Sequence, residues 1–393
     1  MRARGQAPQV LAPTRPRRVL LVAGEASGDV HGADLLAALR RECPDVRVFG
    51  IGGAQLRAAG METVVDSAEV ATVGATEALG HLRVLLRAYR ALVRIIHDEP
   101  PDLCILIDFP EFNLRLARAA KRAGVPVLYY IAPQVWAWRR GRVRKIARRV
   151  DRLAVVFPFE PPLYAERLAG VEFVGHPSLD RVRVTCGREE TLRGHGLDPA
   201  KRLVVLLPGS RPKEVDQLLP PMVEARRLLA AEPDVQFALA LAHTVPQESV
   251  AAALGGAAIP VIADDTYNLV AAADVALVAS GTATLECALL ETPMVIVYRL
   301  APVTFALARL LVRGVRHIGM PNIIAGHEVV PELLQGEVTG DRIAAAARGI
   351  LDDPARHAAI VRDLHEVRRR LGGGGAARRA AAIAAEMLGA HAT

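Results

Sequence analysis

The chain has 393 residues, 51% of them apolar and only 4% aromatic, and carries a formal charge of +7, which is material for two or three domains with large cores and a basic surface suited to anionic partners. Its four cysteines, Cys43, Cys104, Cys186 and Cys287, are far apart and form no CxxC pair, which excludes a zinc site or redox motif of that kind and fits a reducing compartment. No uncharged apolar run approaches the roughly 20 residues of a spanning helix, so the chain is expected not to cross a membrane.

Residues 1–17 are rich in Pro, Arg and Ala and read as a disordered tail, not a signal peptide. A strand is predicted over Val19–Ala23, followed by the turn Gly24-Glu25-Ala26-Ser27-Gly28-Asp29 and a helix through Arg41. Further strands are predicted at Val46–Ile51, Leu103–Ile107, Val125–Ile131 and Leu153–Phe157, with helical patterns between them. This alternation predicts a parallel sheet with helices on both faces. Between the second and third strands, Leu79, Leu82, Leu86, Tyr89, Val93 and Ile96 share one helix face, with Arg83, Arg87, Arg90 and Arg94 as the next stripe. Val84, Ala88, Ala91 and Ile95 make the far side apolar too, more than one core contact requires. Such a helix can lie in a lipid interface, hold an acyl chain or sit in a core. Trp136 and Trp138 precede a basic run from Arg139 to Arg152, which suits an anionic membrane surface, single-stranded nucleic acid or plain solvent. No nucleic-acid reading module accompanies the run, so nucleic acid is not an expected partner.

The pattern pauses near Gly175-His176-Pro177, and a charged stretch runs to Lys201; the domains are divided as 18–185, 186–345 and a C-terminal Ala/Arg-rich helical part, 346–393. The second series of strands is Leu203–Leu207, Val235–Leu241, Pro260–Ala263, Val275–Val278 and Met294–Tyr298. Two α/β halves suggest a ligand cleft lined by strand carboxyl ends. In LVVLLPGSRPKE (203–214) a strand meets Pro208, Gly209 and Ser210 and then a helix from Val215 to Leu229. Main-chain N–H groups and a helix dipole meet there, and Arg211 adds a cation, so the turn fits a diphosphate or an ordinary strand-to-helix connection. Ser280-Gly281-Thr282-Ala283-Thr284-Leu285-Glu286 repeats the plan: Ser280 and Thr282 can cap the helix or donate to phosphate, and Glu286 can accept from a ribose. Neither turn is GxGxxG or GxxxxGK[ST], which disfavours nicotinamide and ATPase chemistry. No DxD-type cluster suggests a metal, and Asp264-Asp265 resembles a loop. His31 and His176 are not expected to be ligands; His176, in a Gly-His-Pro corner, reads as a hinge residue.

GEASGD (24–29), IDFPEFN (107–113), PQVWAWR (133–139), FPFE (157–160), FVGHP (173–177), LLPGSR (206–211), SGTATLE (280–286) and MPNIIAG (320–326) occur in order, and with them the chain resembles the lipid-A-disaccharide synthase family. The resemblance implies a GT-B fold, two Rossmann-like parallel-sheet domains facing a central cleft, the acceptor domain first and the UDP-sugar domain second. It implies transfer from UDP-2,3-diacylglucosamine to 2,3-diacylglucosamine 1-phosphate with inversion, without cofactor or metal. The UDP-sugar site would use Gly209, Ser210, Arg211, Ser280, Gly281, Thr282, Glu286 and Asn322. Inversion requires a base, and Asp108, at a strand end beside Pro110 and Asn113, is the candidate, with Glu25 in reserve and Arg211 neutralising the leaving diphosphate. Glu25, Ser27, Asp29, Asn113, Gln134, Trp136 and Arg139 are the candidate acceptor contacts, with a tight turn in which Asp29 caps a helix as the alternative for that residue. Peripheral attachment to the cytoplasmic face of the inner membrane and a homodimer are further expectations. A UDP-N-acetylglucosamine 2-epimerase and a non-catalytic nucleotide binder at a membrane surface are the alternatives.

Overall fold

The computed structural model describes residues 15–71, 78–133, 135, 141–230, 232–300 and 316–389. The chain divides into two units: the described residues up to Val156 with Glu160–Val174 and those from Gly375 on, and Phe157–Phe159 with Gly175–Gly374.

The first unit holds a seven-stranded sheet in the order β3-β2-β1-β4-β5-β6-β7, with all neighbours parallel. Its strands are β1 (Arg18–Ala23), β2 (Arg47–Gly52), β3 (Glu62–Asp66), β4 (Leu103–Ile107), β5 (Val127–Tyr130), β6 (Arg152–Val155) and β7 (Val171–Phe173). Helices cover both faces of a parallel sheet, so its central strands have no solvent side. Accordingly Val19–Ala23 and Leu103–Ile107 are fully buried. Strands β3 and β7 are missing from the expectation because they are edges: ETVVD is nowhere fully buried and VEF has three residues. The expected strand Val125–Ile131 shortens to Val127–Tyr130, since Pro126 has no N–H to give a ladder.

Helix Ala78–Asp98 buries Ala88, Leu92 and Ile96 in this core. Leu82 and Leu86, on the apolar stripe read from sequence, remain 48% and 40% exposed. Helix Ala376–Met387 belongs to the first unit and packs on helix Ala26–Glu42. Buried Ala376, Ala380, Ala381 and Ala384 let it approach closely, and Arg379 donates to the Val174 carbonyl at 2.6 and 2.9 Å.

The second unit holds a six-stranded parallel sheet in the order β10-β9-β8-β11-β12-β13. Its strands are β8 (Arg202–Leu207), β9 (Val235–Leu241), β10 (Val261–Ala263), β11 (Val275–Ala279), β12 (Met294–Tyr298) and β13 (Glu332–Leu334). β13 is another short edge that the sequence pattern does not show. Helix Pro212–Leu229 starts earlier than expected because Pro212 suits the first helical turn, where its missing N–H costs nothing. Helices Gly340–Leu351 and Pro354–Arg370 stay with this unit, so the segment expected as one C-terminal part, 346–393, is shared between the two units. His176 holds a corner: its Nδ1 accepts from the Ser178 N–H at 3.2 Å and its ring lies 5.2 Å from that of Phe157. Among the described residues no helix is long and apolar enough to cross a membrane.

Candidate active site

In an open parallel sheet the strand order reverses at one place, and the loops leaving the two strands there diverge to opposite faces and leave a crevice. The first sheet reverses between β1 and β4, the second between β8 and β11. Glu25, Ser27, Asp108, Gly209, Ser210, Arg211, Ser280, Gly281 and Thr282 follow these four strands.

In the first unit Ala23 pairs with Ile107, so Gly24-Glu25 and Asp108-Phe109 are neighbouring exits. Asp108 and Phe109 both have left-handed backbone, φ 44° and 47°, which costs a non-glycine residue about 1–3 kcal/mol. Three contacts hold it. The Asp108 carbonyl accepts from the buried Tyr129 hydroxyl at 2.6 Å and from Asn113 Nδ2 at 2.7 Å. The Phe109 ring lies over Gly24, where a Cβ would come within 2.3 Å of it. The Asp108 carboxyl group is partly buried, and its pKa is pushed up to about 6, first by that burial and then by the negative charge of Glu25; the Phe109 N–H opposes both. Glu25 is exposed at the entry to helix Ala26–Glu42, and Ser27 is exposed in its first turn. The pair is therefore a carboxylate tuned toward neutral pH beside a second carboxylate that tunes it.

Two of the expected acceptor contacts have other duties. Asp29 is 5% exposed, and its carboxylate accepts from the N–H groups of Gly53, Gln55 and Leu56 at 2.6, 2.9 and 3.1 Å. It caps helix Ala54–Ala58 across the fold and is not offered to a ligand. Asn113 is fully buried, and its amide donates to the carbonyls of Ile107 and Asp108. Through that amide nitrogen it positions Asp108. Gln134, Trp136 and Arg139 lie outside the described residues. Further along the basic run, Arg142 pairs with Glu111, Arg149 donates to the Leu114 carbonyl, and Arg152 pairs with Glu172 and Glu386. Of the basic residues in its described part, only Arg144, Lys145 and Arg148 are exposed.

In the second unit Leu207 pairs with Val278, which puts the Pro208-Gly209-Ser210 turn beside Ser280-Gly281. Gly209 has φ +123°, and a Cβ there would lie 2.7 Å from Glu214 Cβ, so the position requires glycine. Glu214 Oε2 accepts from the Ser210 N–H at 3.1 Å, and Thr244 donates to the Ser210 carbonyl at 2.6 Å. The turn is thus pinned from both sides. Thr244 was not singled out from the sequence, whereas Glu214 lies within the quoted stretch as a salt-bridge partner for Arg211. Arg211 is 80% exposed and pairs with Glu214 at 3.5 Å, a pair too open to hold its guanidinium firmly.

Helix Thr282–Leu289 has Gly281 at its N-cap and no side-chain cap, so of the two roles open to Ser280 and Thr282, capping is not the one taken. Ser280 instead donates to the Ile318 carbonyl at 3.4 Å, and Thr284 donates to the Gly281 carbonyl at 2.8 Å. Thr282 is exposed at the first helical position. Glu286, one turn in, accepts from the Tyr267 hydroxyl at 3.2 Å. Burial raises its pKa, and the Tyr267 hydrogen bond and the Arg181 charge oppose that. Tyr267 was missed because nothing local in the sequence joins it to Glu286.

Asn322 is a third correction. It is fully buried, donates to the Val330 carbonyl and to Glu332 at 2.8 Å each, and accepts from the N–H groups of Val329 and Val330. All of its amide is spent on tying helix Met320–Ala325 to the approach to β13, leaving nothing for a nucleotide. Asp265 likewise pairs with His195 at 2.6 Å and accepts from Asn268 at 2.7 Å, which makes it a structural residue.

The comparisons with known proteins agree with one another. A family model described as lipid-A-disaccharide synthetase matches residues 19–387. The lipid-A-disaccharide synthase of Geobacter metallireducens is 50% identical over 376 residues, covering 95% of this chain and 98% of that protein. That of Myxococcus xanthus is 44% identical over 366 residues, covering 91% and 94%. Among solved structures, a putative UDP-N-acetylglucosamine 2-epimerase from Listeria monocytogenes superposes with a TM-score of 0.62 at 17% identity, covering 94% of this chain and 95% of that one. The calicheamicin glycosyltransferase CalG4 superposes with a TM-score of 0.58 at 18% identity, covering 96% and 99%. At such identities the structural likeness establishes the GT-B fold and no activity.

Proposed function

The chain belongs to the lipid-A-disaccharide synthase family, glycosyltransferases of lipid A biosynthesis, and from that premise we propose the donor, acceptor and residue roles that follow. The donor is UDP-2,3-diacylglucosamine and the acceptor 2,3-diacylglucosamine 1-phosphate; the products are the β(1→6)-linked disaccharide 1-phosphate and UDP.

Asp108 takes the proton of the acceptor 6-hydroxyl as its oxygen attacks the anomeric carbon and the bond to the diphosphate breaks. A base works best with a pKa near the working pH. An ordinary aspartate is too weak, and at about 6 the Asp108 carboxylate is a stronger base that is still mostly ionised at pH 7. Glu25 sustains that basicity and Ser27 lies beside it for the acceptor. The leaving diphosphate gains charge, which Arg211, the Gly209-Ser210 turn and the N-terminal amides of helix Thr282–Leu289, with Ser280, Gly281 and Thr282, neutralise. Glu286, oriented by Tyr267, accepts from the ribose hydroxyls. The stripe Arg83, Arg87, Arg90 and Arg94, with Arg144, Lys145 and Arg148, meets the anionic inner face of the cytoplasmic membrane, so attachment is peripheral.

The observation that carries this reading is the tuned carboxylate of Asp108 at the reversal of the first sheet. Purified protein given labelled donor and acceptor should release UDP and disaccharide in equal amounts, and donor alone should give no epimer. Epimer formation from donor alone, without disaccharide, would overturn it.

A further inference from the structure

A hollow of about 650 Å³ lies between helices Ala78–Asp98 and Pro110–Arg122, and no step above uses it. Its floor is apolar, made by Leu82, Leu86, Tyr89, Val93, Phe109 and Phe112. Phe112 meets Tyr89 edge-on, centroids 6.1 Å apart, and stacks on Phe109 at 5.2 Å. The rim is cationic: Arg115, Arg118, Arg122 and Arg149. Glu111, at the same hollow, is joined to Arg142. Among the described residues Arg115, Arg118 and Arg122 have no ion-pair partner. Arg149 is crowded by Arg118, and its pKa is lowered by burial and then by that like charge. Like charges left facing each other beside an apolar trough are complementary to an anion bearing a hydrocarbon tail. The trough also begins at the proposed base, because Phe109 follows Asp108 directly, and helix Pro110–Arg122 runs about 20 Å along it.

The geometry points to an acyl-chain site: one hydrocarbon tail of the phosphate-bearing acceptor lies on the Leu82–Phe112 floor, and its phosphate is met by Arg118 and Arg149. The assignment rests on the glycolipid acceptor proposed above. It also accounts for the exposure of Leu82 and Leu86, which the core does not require.

Equilibrium binding of acceptor analogues tests it without depending on turnover. Ala119 is half-buried and lines the hollow, so Ala119→Phe fills it. In that variant the Kd of the long-chain acceptor should rise about tenfold or more, while that of a butyryl analogue and that of UDP stay unchanged. Arg118→Gln should weaken the 1-phosphate acceptor several-fold and leave its dephosphorylated analogue unaffected. If Ala119→Phe fails to fold, Leu86→Gln at an open position replaces it with the same expectation. Equal shifts for long and short chains, or for both headgroups, would overturn the assignment. Wild-type protein that binds acceptor in this pattern but forms no disaccharide would fail the catalytic reading alone.

Discussion

Tyr129 reaches Asp108 through its main chain: the phenol donates to the Asp108 carbonyl at 2.6 Å and leaves the carboxylate to other work. With Asn113 on the same oxygen, it holds a left-handed residue in place from inside the core. Support and chemistry are thus separated within one residue.

Tyr129→Phe should lower kcat several-fold with little change in KM, because the carbonyl keeps Asn113 and the carboxylate loses only its firm setting. Stability should fall by about 1–3 kcal/mol, the cost of leaving a buried acceptor short of a donor. Steady-state kinetics with urea unfolding would check both; a change confined to KM would contradict it.

Glu25→Gln should move the acidic limb of the kcat/KM profile to lower pH. The charge of Glu25 raises the Asp108 pKa, so its removal lowers that pKa and the base stays ionised further into acid. A limb that stays put or moves toward neutral pH would remove Glu25 from this role.

Asp108→Asn should stabilise the fold near neutral pH and not in acid. The folded pKa, about 6, lies above the ordinary 3.8, so the native state holds the proton more tightly than the unfolded state. The contribution of the group is fully present below about pH 4 and lost as pH rises through 6. Asparagine removes that loss, a gain of up to about 2–3 kcal/mol at pH 7.5 that disappears at pH 4. Thermal unfolding at the two pH values would show it.

Arg211→Ala should separate function from stability. At 80% exposure its removal should change stability by less than about 0.5 kcal/mol, while kcat falls about 100-fold or more because charge on the leaving diphosphate goes unanswered. Gly209→Ala should instead damage both, since the new Cβ meets Glu214 and the backbone is left-handed.

The central strands and their turns were legible because each fully buried strand is a continuous apolar run ending in glycine or a polar break, as at Leu203–Leu207 and Leu103–Ile107. The edge strands β3, β7 and β13 were not, being short and half-exposed, so no periodicity marks them. Within the site, the motifs alone point to Asp29, Asn113 and Asn322 as ligand contacts. The partners of Asp29 are main-chain groups such as Gly53 and Leu56, brought to it by the β1–β2 pairing, and no local spacing encodes that. The same reason hid Tyr267 behind Glu286 and Tyr129 behind Asp108.

The most direct test is turnover of Asp108→Asn at saturating donor and acceptor, measured beside its Kd for UDP. The account predicts a loss of kcat of about 1000-fold or more with UDP binding within about twofold of wild type. Turnover within tenfold of wild type would contradict it.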